Sequence, residues 1–103
     1  MKIADNKIIF DNGYTISTKF INDKNALRTI KAVYNYCIKN KGNKNNVTVK
    51  DMIEYYEPGS YNEFTHHEKL LAGAIISQMF CDGKISGLER NIKKRGNTWL
   101  YYC

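Results

Sequence analysis

Apolar positions near the N-terminus follow the two-residue period of a β-strand. Residues 7–10 (KIIF) and 14–18 (YTIST) flank the turn sequence DNG (11–13), in which Asn-Gly tolerates the positive φ angles of a tight turn. The pattern predicts a β-hairpin over residues 7–20, within an N-terminal extension at residues 1–22. Because two strands alone are marginally stable in water, we expect this hairpin to pack on another part of the fold or to pair with another strand edge.

The period changes to that of a helix at Asp23, which can cap the helix start, and Gly42 can end this helix. Between them the apolar residues recur at intervals of three and four. They predict one buried face, formed by Leu27, Ile30, Tyr34, Cys37 and Ile38, with Ala26 and Val33 at its flanks. Residues 39–46 (KNKGNKNN) contain no apolar residue and predict a solvated loop whose lysines keep the chain soluble.

Two capping boxes mark the starts of two more helices. In a capping box a Thr hydroxyl accepts from a free backbone N–H, and an acidic residue three positions later reaches back to the Thr backbone. Thr48 and Asp51 form the first box and predict a short helix over residues 49–56. Its buried face would consist of Met52, Ile53 and Tyr56. Residues 57–60 (EPGS) would end it, because proline disfavours helix before it and glycine permits a turn.

The second box, Thr65 with Glu68, predicts a longer helix that ends at Asp82, with Gly83 in the C′ position and Phe64 as a hydrophobic staple. A helical wheel places a broad apolar face at Phe64, Leu71, Ala74, Ile75 and Met79. Nearly opposite lies a narrow stripe of small or polar residues, His66, Lys69, Gly73 and Ser77.

The C-terminal part of the chain predicts a second hairpin. Residues 85–90 would form a strand, residues 91–96 a loop, and residues 97–102 a second strand rich in aromatic residues. The second strand alternates Trp99 and Tyr101 on one face with other large residues on the opposite face, and we expect one face to pack on the core. Residues 84–95 carry a net charge of about +4, with Lys84, Arg90, Lys93, Lys94 and Arg95 against Glu89.

Length and composition fit one folded domain. The 103 residues suffice for a single core, and a hydrophobic content of 43% with eight tyrosines is enough to pack it. Sixteen Lys and Arg against ten Asp and Glu give a net charge of +6, which favours polyanionic partners such as nucleic acid. Cys37, Cys81 and Cys103 lack zinc-ligand spacing and predict reduced thiols, two of them in the core.

The sequence predicts neither a membrane anchor nor an active site. No apolar stretch is long enough for a signal peptide or a membrane span, so we expect a cytoplasmic protein that does not bind membrane. No nucleophile, acid–base pair or phosphate-binding glycine loop is recognisable, and we expect neither an enzyme nor a bound cofactor or metal. His66 and His67 point about 100° apart on a helix and are expected at the surface.

The order of elements, helix, short strand-like segment, helix, turn, helix and hairpin, resembles a winged helix–turn–helix domain. The resemblance covers about residues 24–102 and is carried by LRTIKAVYNYCIKN, VTVKDMIEYY, THHEKLLAGAIISQMFCDG and KISGLERNIKKRGNTWLYY. The chain is also similar to small proteins of phages and mobile elements of Gram-positive bacteria. The resemblance implies an α+β fold, with three helices and a β-hairpin wing over residues 23–103 and an added N-terminal hairpin over residues 1–22.

In that family the third helix lies in the major groove of double-stranded DNA, and the wing tip contacts the adjacent backbone or minor groove. The resemblance therefore implies that His66, Lys69, Gly73 and Ser77 face the groove. It also implies phosphate contacts for Lys84, Arg90, Lys93, Lys94 and Arg95, which position a protein on DNA without reading its sequence.

Two features differ from the family's pattern. Residues 57–64 (EPGSYNEF) form a longer turn than the usual three or four residues, and the stripe on the third helix has no Arg, Asn or Gln pair for bidentate base contacts. Two functions stay open: a DNA-binding regulator of phage or mobile-element type, and an inhibitor that binds a host protein or a nucleoprotein such as a CRISPR effector. The N-terminal hairpin could extend a sheet, mediate a homodimer or contact a protein.

Overall fold

The computed structural model describes residues 2–4, 7–9, 15–17, 24–83, 85–96 and 98–103. Three short N-terminal strands are followed by three α-helices and a C-terminal antiparallel hairpin, which gives an α+β fold. The core lies between the three helices and one face of the hairpin, where helix residues such as Ile30, Met52 and Ile75 are fully buried. No helix within these residues has the length and apolar content of a membrane span.

The N-terminal strands are β1 (Lys2–Ala4), β2 (Lys7–Ile9) and β3 (Thr15–Ser17), which form an antiparallel sheet in the order β1-β2-β3. The sequence pattern did not indicate β1. The expected turn at residues 11–13 lies outside the described residues, so the hairpin over residues 7–20 stays a prediction.

Helix α1 spans Lys24–Lys39, and the expected cap residue, Asp23, lies outside the described residues. Most of its predicted face packs on the core, but Ile38 is 60% exposed and its place in that face was wrong. Thr29 is buried instead, because its hydroxyl donates to the carbonyl of Asn25 at 2.8 Å and needs no solvent.

Helix α2 spans Val49–Tyr56 and begins with the predicted capping box, in which Asp51 N–H donates to the Thr48 hydroxyl and Thr48 N–H donates to the Asp51 carboxylate. Met52 and Ile53 are buried, as expected. Tyr56 is 38% exposed, so its predicted place in the buried face was wrong. The core on this side is closed by Val49 at the first turn instead.

The connection from α2 to the third helix contains a 3₁₀ turn at Ser60–Glu63. Gly59 precedes it with a φ of 84°, in the left-handed region that glycine adopts without strain. Arg28 on α1 holds this connection, since its guanidinium donates to the carboxylates of Glu57 at 3.2 Å and Glu63 at 3.1 Å. These hydrogen bonds, with Glu63 contributing most, raise the pKa of Arg28 and keep the cation paired.

Helix α3 spans His66–Asp82 and has both of its predicted ends. The capping box joins Thr65 and Glu68, and Gly83 ends the helix in the left-handed conformation with a φ of 65°. Its buried residues are Ala72, Ile75, Ile76 and Met79. Ala74 is exposed, so its predicted place in the apolar face was wrong, and the buried side of α3 is rotated toward Ala72 and Ile76.

The C-terminal hairpin consists of β4 (Glu89–Arg95) and β5 (Thr98–Tyr102). The predicted strand at residues 85–90 and the predicted loop at residues 91–96 were therefore wrong over most of their lengths. Residues 85–88 form a turn, in which Leu88 N–H donates to the Ile85 carbonyl at 3.2 Å. Ile85 and Leu88 are both buried, which explains why this turn has the apolar content of a strand.

The segment that connects α1 to α2 also contacts the hairpin. Val47 pairs with Tyr101 of β5: the Val47 N–H donates to the Tyr101 carbonyl at 2.8 Å, and the Tyr101 N–H donates to the Val47 carbonyl at 2.7 Å. Tyr101 is buried and Trp99 packs against the core, which confirms that one face of β5 is a core face. The hairpin is thus fixed to the helices through β5.

Candidate functional site

The strand β4 carries most of the positive charge that the sequence placed near the C-terminus. Its seven residues, ERNIKKR, contain four cations and one carboxylate. The backbone of Lys93, Lys94 and Arg95 lies within the strand rather than in a loop, and Arg95 pairs with Thr98 next to the turn at Gly96. Lys84 lies outside the described residues. The cationic run is therefore held by a backbone ladder.

The ladder of the hairpin is irregular at its centre. Arg90 pairs with Tyr101 and Lys94 pairs with Trp99, so residues 91–93 of β4 lie opposite Leu100 alone. A bulge of this kind bends a strand and increases its twist. Lys93 thus lies at the bulge, and Lys94 and Arg95 lie beyond it, toward the turn.

Arg90 packs against other side chains of the protein, and its predicted contact with phosphate stays a prediction. Its guanidinium carbon lies 4.4 Å from the ring centroid of Trp99 and 4.7 Å from that of Phe80. One guanidinium nitrogen, Nη1, donates to the Ser77 hydroxyl at 3.3 Å. Arg90 and Ser77, both predicted site residues, therefore meet and join β4 to α3.

The stripe predicted on α3 does not form a uniformly exposed face. His66 is exposed, as is His67, but Lys69 and Gly73 are half-buried. The side of α3 that faces solvent is rotated from the stripe by about one residue and consists of His67, Leu70, Ala74, Gln78 and Cys81. This side has no Lys, Arg, Asp or Glu, and Leu70 is 63% exposed.

A cavity of about 300 Å³ lies between α3, the start of α2, the 3₁₀ turn and β5. Its lining consists of Val49, Tyr61, Lys69, Leu70, Gly73, Ile76, Thr98, Trp99 and Tyr101. Two lysines flank the Tyr61 ring, with the Lys69 nitrogen 5.0 Å and the Lys50 nitrogen 5.8 Å from the ring centroid. Burial raises the pKa of the Tyr61 hydroxyl, which stays neutral beside these cations.

The sequence did not point to Tyr61 or Lys50, because neither lies near the stripe or the cationic run. Tyr61 belongs to the connection between α2 and α3, which differs in length from a standard turn. Tertiary packing alone brings it to the cavity that Trp99 also lines. The unusual length of residues 57–64 was the one available signal that this connection has a structure of its own.

A second group of lysines lies at the other end of the hairpin. Lys39, Lys41 and Lys44 are exposed at the end of α1 and in the following loop. This loop is fixed to the C-terminal end of β5, because the N–H groups of Gly42 and Lys44 both donate to the Cys103 carbonyl, at 3.1 and 3.0 Å. Both ends of the hairpin therefore have cations nearby.

Acidic residues lie on α2 and in the connection from α2 to α3. Glu57 and Glu63 pair with Arg28, and Glu54 accepts from the backbone N–H of Gly59, all on the side of α1 and the α2–α3 connection. The hairpin is one of two strongly cationic elements of the described structure, the other being α1. Over the same residues, no group of three or more His, Cys, Asp or Glu side chains is arranged to hold a metal ion.

Comparison with known proteins gives no family assignment: no family model matches the chain, and neither a curated protein nor a solved structure is detectably similar to it.

Proposed function

We propose that this protein binds nucleic acid, as a small DNA-binding regulator of the phage or mobile-element type that uses α3 and the β4–β5 hairpin. The observation that carries the proposal is the cationic strand β4, with four cations in seven residues, joined to α3 through Arg90 and Ser77. Lysine and arginine at such a place neutralise phosphates and release counterions, which favours binding to any DNA sequence.

The element order supports a winged-helix arrangement for this binding. The segment between α1 and α2 pairs with β5 through a single bridge between Val47 and Tyr101, which joins the hairpin to the connection between the first two helices. In a winged helix–turn–helix domain the hairpin flanks the third helix and contacts the DNA backbone. The side of α3 that faces solvent would then lie toward the groove.

The residues on the exposed face of α3 indicate how far the protein could recognise a particular DNA sequence. A groove-facing helix reads sequence through bidentate contacts from residues such as Arg, Asn or Gln. Gln78 is the one such residue on the face formed by His67, Leu70, Ala74, Gln78 and Cys81, and its amide already donates to Asp82 at 2.6 Å. We therefore expect a weak sequence preference and a strong dependence on salt.

The test is a titration of labelled duplex DNA followed by fluorescence anisotropy at several salt concentrations. Changing Lys93, Lys94 and Arg95 together to Ala should weaken binding to all sequences alike and reduce the salt slope by about one for each removed phosphate contact. The control, Lys24 and Lys31 changed together to Ala, removes charge from the first half of α1 and should keep the salt slope. An equal reduction of the slope per removed charge in the two variants would contradict a role for β4.

An inhibitor that binds a host protein or nucleoprotein is the second candidate, and the exposed Leu70 and Ala74 on α3 favour it. An apolar, uncharged helix face is more typical of a protein interface than of a DNA groove. A pull-down from host lysate with and without nuclease separates the two functions. A partner that is retained after nuclease and lost in Leu70→Glu supports the inhibitor, whereas a partner lost with nuclease supports the regulator.

A further inference from the structure

We propose that the cavity between α3 and β5 takes one unpaired nucleobase of the bound nucleic acid. The inference rests on the proposed function and makes it more specific, because it names the part of the polynucleotide that the protein recognises. It concerns the cavity of about 300 Å³ whose lining includes three aromatic side chains, Tyr61, Trp99 and Tyr101.

The size and walls of the cavity suit a flat, mostly apolar ring. Its volume is at the lower end of the range for small-ligand pockets. Apolar side chains of α2 and α3 close its sides, and Gly73 leaves room at the helix surface, since a Cβ at this position would meet no atom within 4 Å. Aromatic side chains stack with bases without regard to sequence, because every base has a π-face.

The charges around the cavity favour a nucleotide over an apolar side chain of a protein. Lys50 and Lys69 both hold their ammonium groups beside the Tyr61 ring, and none of the described residues that line the cavity is acidic. A base that stacks on an aromatic side chain of the cavity brings a phosphate with it, which these lysines can pair. An apolar side chain would leave both ammonium groups without a counter-charge.

The position of the cavity is consistent with a polynucleotide that also meets the hairpin. Thr98, which lines the cavity, pairs with Arg95 at the turn end of the cationic strand. Trp99 forms one wall and also packs against Arg90 of β4. A single backbone could therefore pass from the cationic strand to the cavity within a few nucleotides.

Trp99 is the only tryptophan of the chain, so its intrinsic fluorescence reports on the cavity directly. The experiment titrates the full chain with a short oligothymidylate and, separately, with an abasic phosphodiester chain of equal length and charge. We expect oligothymidylate to quench Trp99 and to bind about tenfold more tightly than the abasic chain, because only it can stack. Equal affinities for the two chains would overturn the proposal.

Gly73→Leu should fill the cavity and abolish both the quenching and the tenfold preference. Its control, Ser86→Leu, adds the same side chain at an exposed position outside the cavity lining and should keep both. Lys69→Gln is a second test that leaves the cavity walls in place, and it should weaken oligothymidylate binding while the quenching at saturation stays. If Gly73→Leu folds and binds oligothymidylate as the parent does, the cavity is not the base site.

The results separate this inference from the proposed function. If the protein binds neither duplex DNA nor oligothymidylate, the proposed function and the cavity proposal both fail. If duplex binding keeps its dependence on salt and on β4 while the base preference is absent, only the cavity proposal fails. If Gly73→Leu instead abolishes a nuclease-resistant protein partner and leaves nucleic acid binding unchanged, the cavity belongs to a protein interface and the nucleobase is excluded.

Discussion

The sulfur atoms of Cys37 on α1 and Cys103 after β5 lie 2.8 Å apart in a hydrogen bond, although the two residues are 66 positions apart in the chain. Both thiols are buried and Cys81 is exposed, which confirms that two of the three cysteines belong to the core. The hydrogen bond raises the pKa of Cys37, with burial adding to the effect, and lowers the pKa of Cys103. Cys103 is therefore the thiol of the pair that ionises first.

This pair should form a disulfide when the protein is treated with glutathione disulfide. The Cys103 thiolate begins the exchange, the two protein thiols lose two electrons and two protons, and glutathione disulfide becomes two glutathione molecules. A bond that closes a loop of this length stabilises the fold by up to about 4 kcal/mol in the chain-entropy account. Urea unfolding of the oxidised and the reduced protein measures the difference. Cys81→Ser should keep the difference and Cys37→Ala should abolish it.

Arg90 should contribute more to stability than a surface arginine. Arg90→Ala removes two cation–π contacts and the hydrogen bond to Ser77, and should lower the free energy of unfolding by about 1–2 kcal/mol. Arg90→Lys keeps the charge but loses the planar group that stacks between Phe80 and Trp99, so most of the loss should remain. Urea unfolding followed by Trp99 fluorescence is the measurement. An unchanged midpoint in Arg90→Ala would show that the contacts contribute nothing.

The capping box of α3 should make stability depend on pH in the acid range. The hydrogen bond from the Thr65 backbone N–H lowers the pKa of Glu68, with the Asn25 side chain adding to the effect. Because the folded-state pKa is below the usual 4.5, the stabilisation is full above that value and is lost as the pH falls through the lowered pKa. As the pH falls through this range, the midpoint temperature of thermal unfolding should decline less in Glu68→Gln than in the parent chain. Glu89→Gln, at an exposed position outside the capping box, should show the same dependence on pH as the parent.

Ile30 and Ile38, two turns apart on α1, should differ sharply when truncated. Ile30 is fully buried, so Ile30→Ala should cost about 2–5 kcal/mol in the free energy of unfolding. Ile38 is 60% exposed, and Ile38→Ala should stay within about 0.5 kcal/mol of the parent. Urea unfolding of both variants measures this, and similar losses at the two positions would restore the helix face that the sequence predicted.

The features that could be predicted from the sequence are those fixed by neighbours along the chain. The two capping boxes at Thr48 and Thr65 and the glycine end of α3 depend on residues within a few positions, and all three are present. The side on which a helix is buried depends instead on which elements pack against it. The periodic pattern therefore placed Ile38 and Ala74 in the core, although both are exposed.

The candidate site also has one property that the sequence predicts and others that depend on tertiary packing. Its charge could be counted from the sequence, because lysines and arginines carry their charge wherever they lie. The contacts of Arg90 could not, since Phe80 and Trp99 flank it only after β4 and β5 have packed against α3. The bounds of β4 were missed because residues 85–88 form a buried turn with the apolar content of a strand, whereas β5, at Thr98–Tyr102, lies close to its predicted place.

The pairing of β4 with β5 lowers the entropy cost of binding a partner at the cationic run of residues 93–95. A loop of the same sequence would lose backbone freedom on binding, at about 1–2 kcal/mol for each residue that becomes fixed. Residues 93–95 lie in a strand that is ordered before any partner arrives, so this entropy has already been lost in folding. Each contact made there can therefore add more of its free energy to the affinity, and the hairpin acts as a preorganised surface.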